Sequence, residues 1–427
     1  MTGDLGHALR EARKQSGMSF SKFARLTGYS ESHLRSVENG HRAITLSVAR
    51  AYDTVLKTGN RFRAVVADAP LAWDPAGTLS ALSRVLSRSD LDRRAFVIAS
   101  GAALAGIAGS WKLALDHPSP LHGNGTRQVS DDLITNIEQR LGLLRHLDDE
   151  LGSSQLARLA RGELGLIARM LREGSYTDMA GRRLYSLAAE AGRQAAWDYF
   201  DQGEHGTAQA YFETALRASA TAGDQIAGAY ALSFLAVQCY STRQPRTAVS
   251  LLETAQDTAG RSATPRMTAM LAARSARALS KAGDRHACAS KLLQAHSALD
   301  KGPHPDDPGT LYWVTRGEVE MIAGSSALDL GDPAEAIRRF DAAIKADYRG
   351  DDQYPRSHAI YMARAAEAHL ALHDLDAALV KAAHAVRCMQ GVGSARSAST
   401  LASLRKKLAG HAASSAVRAF LEQTSSR

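Results

Sequence analysis

The chain has 427 residues, of which 45% are hydrophobic and 22% charged, so it is long enough for two or three domains with buried cores. Its formal net charge is +8, and residues 1–62 contribute +5 of this, with ten Lys or Arg against five Asp or Glu. A basic N-terminal region is the electrostatic pattern of a nucleic-acid binder. The three cysteines are far apart and form none of the close pairs of zinc or redox motifs, so we expect buried free thiols and no metal site.

The first 62 residues are predicted to form four short helices. Each ends at a glycine, the residue that most readily adopts the left-handed conformation of a helix C-cap; the four are Gly17, Gly28, Gly40 and Gly59. Ser19, Ser30 and Thr45 occupy N-cap positions. The apolar positions expected to pack together are Leu9, Ala12, Phe23, Ala24, Leu26, Leu34, Val37, Leu46, Ala49 and Tyr52. This spacing predicts a helix-turn-helix, whose second helix could enter the major groove of DNA.

The same segment, over about residues 5–60, resembles the phage-repressor-like, or xenobiotic-response-element, family of helix-turn-helix domains. The matching positions are Leu9, Arg13, Gly17, Ser19, Phe23, Ala24, Gly28, Ser30, Leu34, Glu38 and Gly40. The resemblance implies a buried structural ion pair between Arg13 and Glu38. It implies that the residues facing the bases are Ser30, Glu31, Ser32, Arg35 and Ser36, and that those on phosphates are Lys14, Lys22, Asn39, His41 and Arg42. Phe20 departs from the family, which commonly has a phosphate-binding Gln there.

Residues 63–129 differ in composition from both flanking regions, because two Pro- and Gly-rich stretches enclose the segment LDRRAFVIASGAALAGIAGS at 91–110. We interpret 63–129 as a connector. The twin arginines follow a complete domain and the apolar run is short, which excludes an export signal and a membrane span. We predict a helix whose small residues Gly101, Ala105 and Gly109 permit close packing on the rest of the chain or on a dimer partner.

From residue 130 to the end, the chain is predicted to be helical, and one motif recurs five times, with units starting at 203, 243, 283, 331 and 373. The sixth position of each unit is small: Ala208, Ala248, Cys288, Ala336 and Ala378. So is the position seven residues later: Ala215, Ala255, Ala295, Ala343 and Ala385. A further amphipathic helix precedes each unit, so residues 130–427 are predicted to form an all-α solenoid of hairpins. The pattern resembles the tetratricopeptide repeat family over about 180–390; the alternative is a non-repeating helical bundle.

This combination of domains is similar to two groups of bacterial regulators, one sensing signalling peptides and the other found in actinomycetes. The resemblance implies a homodimer with an effector on the concave face of the array. Peptide-binding arrays usually hold their ligand with asparagines, but the chain has none after Asn136. The polar candidates to replace them are Gln194, Gln238, Arg274, Arg277, Arg316 and Glu320. The accompanying aromatic side chains are Trp197, Tyr230, Tyr240 and Tyr361.

No motif of an enzyme is present: the sequence lacks a phosphate-binding loop, an HExxH pair and a nucleophile elbow, so we expect neither catalysis nor a cofactor. Two hypotheses follow. In the first, the chain is a cytoplasmic, sequence-specific regulator of transcription that binds double-stranded DNA, and its array responds to a peptide, small molecule or partner. In the second, it is an adaptor whose array recruits another protein, and DNA binding is incidental. Neither involves a membrane.

Overall fold

The computed structural model describes residues 2–42, 44, 46–59, 61–63, 71–87, 98–348, 350–390 and 392–424. These residues are almost entirely helical, with 21 α-helices and three very short strands, which confirms the predicted all-α class. The chain divides into two compact units, Met1–Ala72 and Trp73–Arg427. Residues 73–129, which we assigned to a connector, therefore belong to the same compact unit as the predicted array. No described helix has the length and apolar character needed to cross a membrane.

The N-terminal unit contains four helices, α1 (Thr2–Gln15), α2 (Phe20–Thr27), α3 (Glu31–Glu38) and α4 (Leu46–Leu56). Ser19 and Ser30 cap α2 and α3, since their hydroxyl oxygens accept hydrogen bonds from the backbone N–H groups of Lys22 and His33, the third residue of each helix. Gly28 follows α2 with a φ of 75°, the left-handed conformation expected of it. Thr45, the predicted cap of α4, lies outside the described residues.

The core of this unit is formed by the apolar faces of the four helices. Its fully buried residues include Leu9, Phe23, Leu34 and Tyr52, as the helical spacing predicts. Leu26 was expected in this core, but the prediction is wrong, because its side chain is 54% exposed. Helix α2 turns Phe23 and Ala24 inward, and Leu26 lies on the adjoining face.

The C-terminal unit begins with two helices, α5 (Pro75–Ser87) and α6 (Gly101–Leu115). The helices that follow, here called the array, are α7 (Asp131–Leu151), α8 (Ser153–Glu173), α9 (Asp178–Asp201), α10 (His205–Ala222), α11 (Gln225–Ser241), α12 (Pro245–Ala259), α13 (Pro265–Ala282), α14 (Arg285–Leu299), α15 (Arg316–Asp329), α16 (Pro333–Lys345), α17 (Gly350–Gln353), α18 (Pro355–Ala371), α19 (Leu375–Cys388), α20 (Ala395–Ala409) and α21 (Ser415–Gln423). Strands β1 (Gly123–Asn124) and β2 (Arg127–Gln128) flank β3 (Gly174–Tyr176), which pairs antiparallel with β1 and parallel with β2.

Consecutive helices of the array pack as hairpins, and the repeated small residues lie where the helices meet. All ten positions identified from the repeat are at most 1% exposed. Small side chains allow the two helix backbones to approach closely; in the first hairpin, a Cβ added at Gly192 of α9 would lie 3.4 Å from the Cβ of Ala215 of α10. The sequence repeat therefore corresponds to a repeat-like array of helical hairpins.

Helix α6 packs on the array through a face that overlaps only in part with the predicted stripe of small residues. Its buried residues are Leu104, Ala108 and Trp111, and the indole Nε1 of Trp111 donates a hydrogen bond of 2.9 Å to the hydroxyl of Ser219. Of the small-residue stripe, Gly101 does pack closely on the array, but Gly109 is exposed. The larger side chains determine the docking face because they remove more apolar surface from water. Residues 91–97 lie outside the described part of the chain.

Helices near the beginning of the array contact helices near its end. Arg356 of α18 donates hydrogen bonds to both carboxylate oxygens of Asp148 of α7, at 2.8 and 2.9 Å, and both side chains are almost completely buried. A second link joins Ser394, the N-cap of α20, to the carboxylate of Asp201 at the end of α9, at 2.9 Å. These bonds join residues about 200 positions apart and hold the two ends of the array together.

Candidate functional sites

Helix α3 presents the predicted base-facing residues along its outer side. Ser30, Ser32 and Arg35 are exposed, and Glu31 and Ser36 are half-buried. The hydroxyl groups of Ser30 and Ser32 lie 3.2 Å apart, while Ser36 donates its hydroxyl proton to the backbone carbonyl of Ser32 at 2.9 Å. The helix thus offers one long cationic side chain and a row of small hydroxyl groups, a combination that fits the floor of a major groove.

Arg35 is held by two neighbours. Its guanidinium lies 3.5 Å from the carboxylate of Glu31, and its Cζ lies 4.3 Å from the ring centroid of Phe20. The Cζ of Arg13 lies 4.1 Å from the same centroid. Phe20 therefore replaces the expected phosphate-binding Gln with a ring that orients two arginines. The sequence marked Phe20 as unusual but gave no sign of this role, because the three residues lie on three different segments.

The buried carboxylate of Glu38 fixes α3 against its neighbours. It accepts hydrogen bonds from Nε and Nη2 of Arg13, at 2.7 and 2.9 Å, which is the ion pair that the family resemblance implies. It also accepts a hydrogen bond of 2.8 Å from the hydroxyl of Tyr52 on α4. Burial and this hydrogen bond to a carboxylate raise the pKa of Tyr52 well above its usual range. Three helices are therefore joined at one carboxylate, which sets the orientation of the recognition helix.

The five predicted phosphate-binding residues differ in their surroundings. Lys22 and His41 are exposed. Lys14 is paired with Glu11 at 3.0 Å, and the side chain of Asn39 accepts a hydrogen bond from Arg10. The Nη1 atom of Arg42 lies 2.7 Å from Nδ1 of His33. All five lie in the N-terminal unit at or near the ends of α1, α2 and α3.

The array encloses a cavity of about 1310 Å³ lined by 40 residues. Of the six polar groove candidates, Gln194, Arg274 and Arg277 line it, as do all four predicted aromatic residues, which are Trp197, Tyr230, Tyr240 and Tyr361. The cavity wall also carries nine Lys or Arg side chains against five Asp or Glu. A large concave site with convergent polar groups is the usual form of a ligand-binding site.

The other three candidates lie elsewhere. The side-chain nitrogen of Gln238 donates a hydrogen bond of 2.8 Å to the backbone carbonyl of His205. Arg316 forms a surface ion pair with Asp300, and Glu320 accepts from Arg339 at 3.2 Å. Gln238 and Glu320 are buried among neighbouring helices and Arg316 is held at the surface, so none of the three lines the cavity.

Several lining residues have strongly perturbed acidities. Burial raises the pKa of Asp149 to about 7, although the hydrogen bond from Tyr312 acts to lower it. Burial likewise raises the pKa of Glu318 to about 7, although Tyr361 donates a hydrogen bond of 2.5 Å to it. At neutral pH these two carboxyl groups are therefore only partly ionised, which makes the cavity more positive than its residue count indicates.

Three side chains on the hairpin of α18 and α19 could hold a metal ion. One donor atom from each of His358, His384 and Cys388 lies within 4.8 Å of the other two. Imidazole and thiolate groups are the ligands that zinc prefers. This cluster could not be predicted from the sequence, because His358 is on α18 and the other two residues are on α19, so that no close motif links all three.

Residues 4–64 match the family model of a helix-turn-helix domain. A search of curated proteins found no match to the chain. The family match and the geometry of α2 and α3 together define the class of the N-terminal unit: it is a DNA-binding helix-turn-helix domain. The chain thus carries a helix-turn-helix domain in its first unit and a helical array in its second.

Proposed function

We propose that the chain is a sequence-specific transcription regulator of the phage-repressor-like, or xenobiotic-response-element, type. The observation that carries the proposal is the exposed recognition helix, on which Arg35 is oriented by Phe20 and flanked by Ser32. An oriented guanidinium can donate two parallel hydrogen bonds to O6 and N7 of guanine, the commonest specific contact in the major groove. The protein acts by binding, in the cytoplasm with its DNA, and not by catalysis.

The second unit is the sensing part in this proposal. Its hairpins resemble the tetratricopeptide repeats of the actinomycete regulators, and the cavity within the array supplies room for a peptide or small-molecule effector of DNA binding. Signalling would then consist of a change in operator affinity when the cavity is filled.

We further propose that the regulator is a homodimer, as operator symmetry favours. Support comes from an exposed apolar stripe on α7, where Leu143, Leu147 and Leu151 recur every four residues and are each more than a third exposed. Such a stripe is costly on an isolated surface. Leu143→Glu is expected to shift a dimer towards monomer in analytical ultracentrifugation; an unchanged mass of the variant would place the interface elsewhere.

The test of the regulator is a genome-wide DNA pull-down with the full chain, followed by footprinting of the enriched sites. We expect a defined operator, and Arg35→Ala should weaken its binding by about 1–3 kcal/mol and relax the preference at one base pair. Arg50→Ala, which removes an exposed arginine from α4, is the matched control and should leave that preference unchanged.

The alternative is an adaptor whose array recruits another protein. It predicts no enriched operator, and a salt-dependent affinity for DNA that does not distinguish one sequence from another. It also predicts equal affinities of Arg35→Ala and Arg50→Ala for any DNA of the same length. That pair of results would refute the regulator.

A further inference from the structure

The wall of the array cavity contains two buried arginines that form no salt bridge with a described carboxylate. Arg193 on α9 is 3% exposed and Arg274 on α13 is 7% exposed. Among the described residues, no carboxylate oxygen lies within 4.0 Å of either guanidinium. A buried charge without a partner is strongly unfavourable, so a protein retains one where a ligand neutralises it.

The contacts that these arginines do make leave donors unused. Nη2 of Arg193 donates to the side-chain oxygen of Gln194 at 2.8 Å, and its buried Nε has no hydrogen-bond acceptor among the described residues. Nη1 of Arg274 donates to the hydroxyl of Ser233 at 2.9 Å. Gln194 in turn donates a hydrogen bond of 3.2 Å to the buried carboxyl of Asp198, and burial raises the pKa of that carboxyl well above its usual range.

Both guanidinium groups lie over the same aromatic ring. Their Cζ atoms are 4.8 Å and 4.0 Å from the ring centroid of Phe234. Trp197 packs edge-on against Phe234 with 4.9 Å between centroids, and Trp313 lies 5.0 Å from the Cζ of Arg274. Cation–π contacts orient the two guanidinium planes in the absence of an anion. They use none of the N–H donors, which therefore stay available for a ligand.

The rest of the wall is aromatic and poor in aliphatic side chains. Ten of the 40 lining residues are Phe, Trp or Tyr, whereas these types make up 6% of the chain. Only three are Val or Ile, and none is Leu or Met. Such a wall suits a flat ring system, which stacks or packs edge-to-face, better than a flexible acyl chain.

We propose that the cavity binds a flat aromatic anion, whose charged group is held by Arg193 and Arg274 and whose rings lie against Trp197, Phe234 and Trp313. A carboxylate, sulfonate or phosphate oxygen accepts from the free guanidinium donors and supplies the missing counter-charge. The inference rests on the proposed function in one respect, since it takes the array as the effector-binding part.

The test uses the full chain and three probes of matched size: 1-naphthalenesulfonate, the neutral 1-naphthalenemethanol and the cationic 1-naphthylmethylammonium. Binding is measured by calorimetry and by the fluorescence of Trp197 and Trp313 in the cavity wall. We expect the sulfonate to bind at least about tenfold more tightly than the alcohol, and the cation most weakly, because hydrogen bonds to a charged group are the strong ones. Equal affinity for all three probes would overturn the proposal without any variant.

Variants of the two arginines then test whether they hold the charged group of the probe. Arg193→Gln and Arg274→Gln should each weaken sulfonate binding at least about tenfold and leave alcohol binding unchanged. The matched control is Arg316→Gln, which removes an arginine that does not line the cavity and should change nothing. Sulfonate affinity that is the same in both cavity variants as in the control would refute the assignment.

Operator binding, measured on the same samples, separates this inference from the proposed function. If the chain binds the sulfonate selectively but binds no operator, the proposed regulatory function is refuted and the proposed anion site is supported. If the chain binds an operator but its cavity does not discriminate among the probes, the proposed anion site is refuted and the proposed regulatory function is supported.

Discussion

The ion pair between Asp148 and Arg356 joins the first helix of the array to a helix near its end, and we expect Asp148→Asn to weaken this contact. Both side chains are about 95% buried and share two short hydrogen bonds. Removing one partner of a buried pair costs about 3–5 kcal/mol, because the other charge stays buried. Here Asp201 remains 3.8 Å from Arg356, and the hydroxyl of Ser153 still accepts a hydrogen bond at 2.9 Å, so we expect the lower end, about 3 kcal/mol.

Hydrogen exchange followed by mass spectrometry measures this loss where it occurs. Amides of α7 and α18 that exchange through opening of this contact should exchange about a hundredfold faster in Asp148→Asn, since each 1.4 kcal/mol is a factor of ten. Asp131→Asn is the matched control on the same helix, because the Asp131 side chain is 72% exposed and its ion pair with Arg183 is a surface contact. Equal protection of α7 and α18 in the two variants would refute the reasoning.

The same pair predicts a pH dependence. Burial by itself would raise the pKa of Asp148, but the adjacent Arg356 guanidinium outweighs burial and holds the pKa below its usual range. A carboxyl whose pKa is lower in the folded state stabilises that state fully above its unfolded pKa, about 3.9, and loses this contribution as the pH falls through the folded value. The difference in protection between the wild type and Asp148→Asn should therefore be constant above about pH 5 and shrink below about pH 4.

Three further predictions concern single packing contacts. Phe20→Ala should free the recognition arginine and lower operator affinity several-fold in a competition assay, with unchanged helicity by circular dichroism. Glu38→Gln should speed hydrogen exchange in α1 and α3 by more than tenfold, whereas Glu11→Gln, on an exposed ion pair, should not. Gly228→Ala places a Cβ into the buried indole of α6 and should lower the free energy of urea unfolding by about 1–3 kcal/mol, while Gly109→Ala, on the exposed face of α6, should raise it by about 0.5–1 kcal/mol. A higher free energy of unfolding in Gly228→Ala, or a large loss of it in Gly109→Ala, would contradict the packing of α6 on the array.

The features that could be predicted from the sequence are those set by local periodicity. Ala208 and Ala215 are seven residues apart, two turns of a helix, so their repetition identifies the contact face of each hairpin without knowledge of its neighbours. The caps at Ser19 and Ser30 depend on a few adjacent residues and were equally accessible.

The features that could not be predicted depend on which helix a given face meets. The spacing of Gly101 and Gly109 indicated a close-packing stripe, yet only the first of them packs closely on the array. Arg193 was overlooked because nothing in its own helix indicates that α11 brings Phe234 beneath it. The link between residues 148 and 356 likewise depends on how far the whole array curves, which is a sum of small rotations that no single motif encodes.

Two classes of buried arginine in the array bear on whether its cavity is functional. Arg356 contacts the buried Asp148, and the half-buried Arg277 and Arg364 contact Asp329, so that these three charges are compensated within the fold. Arg193 and Arg274 are at most 7% exposed, and their hydrogen bonds and ring contacts are with neutral groups. A wall needed only for packing would be more stable with Leu or Met at these two positions, because apolar side chains of similar volume carry no desolvation cost. The uncompensated charges therefore lower the stability of the empty array, and an anion that enters the cavity recovers that free energy as binding affinity.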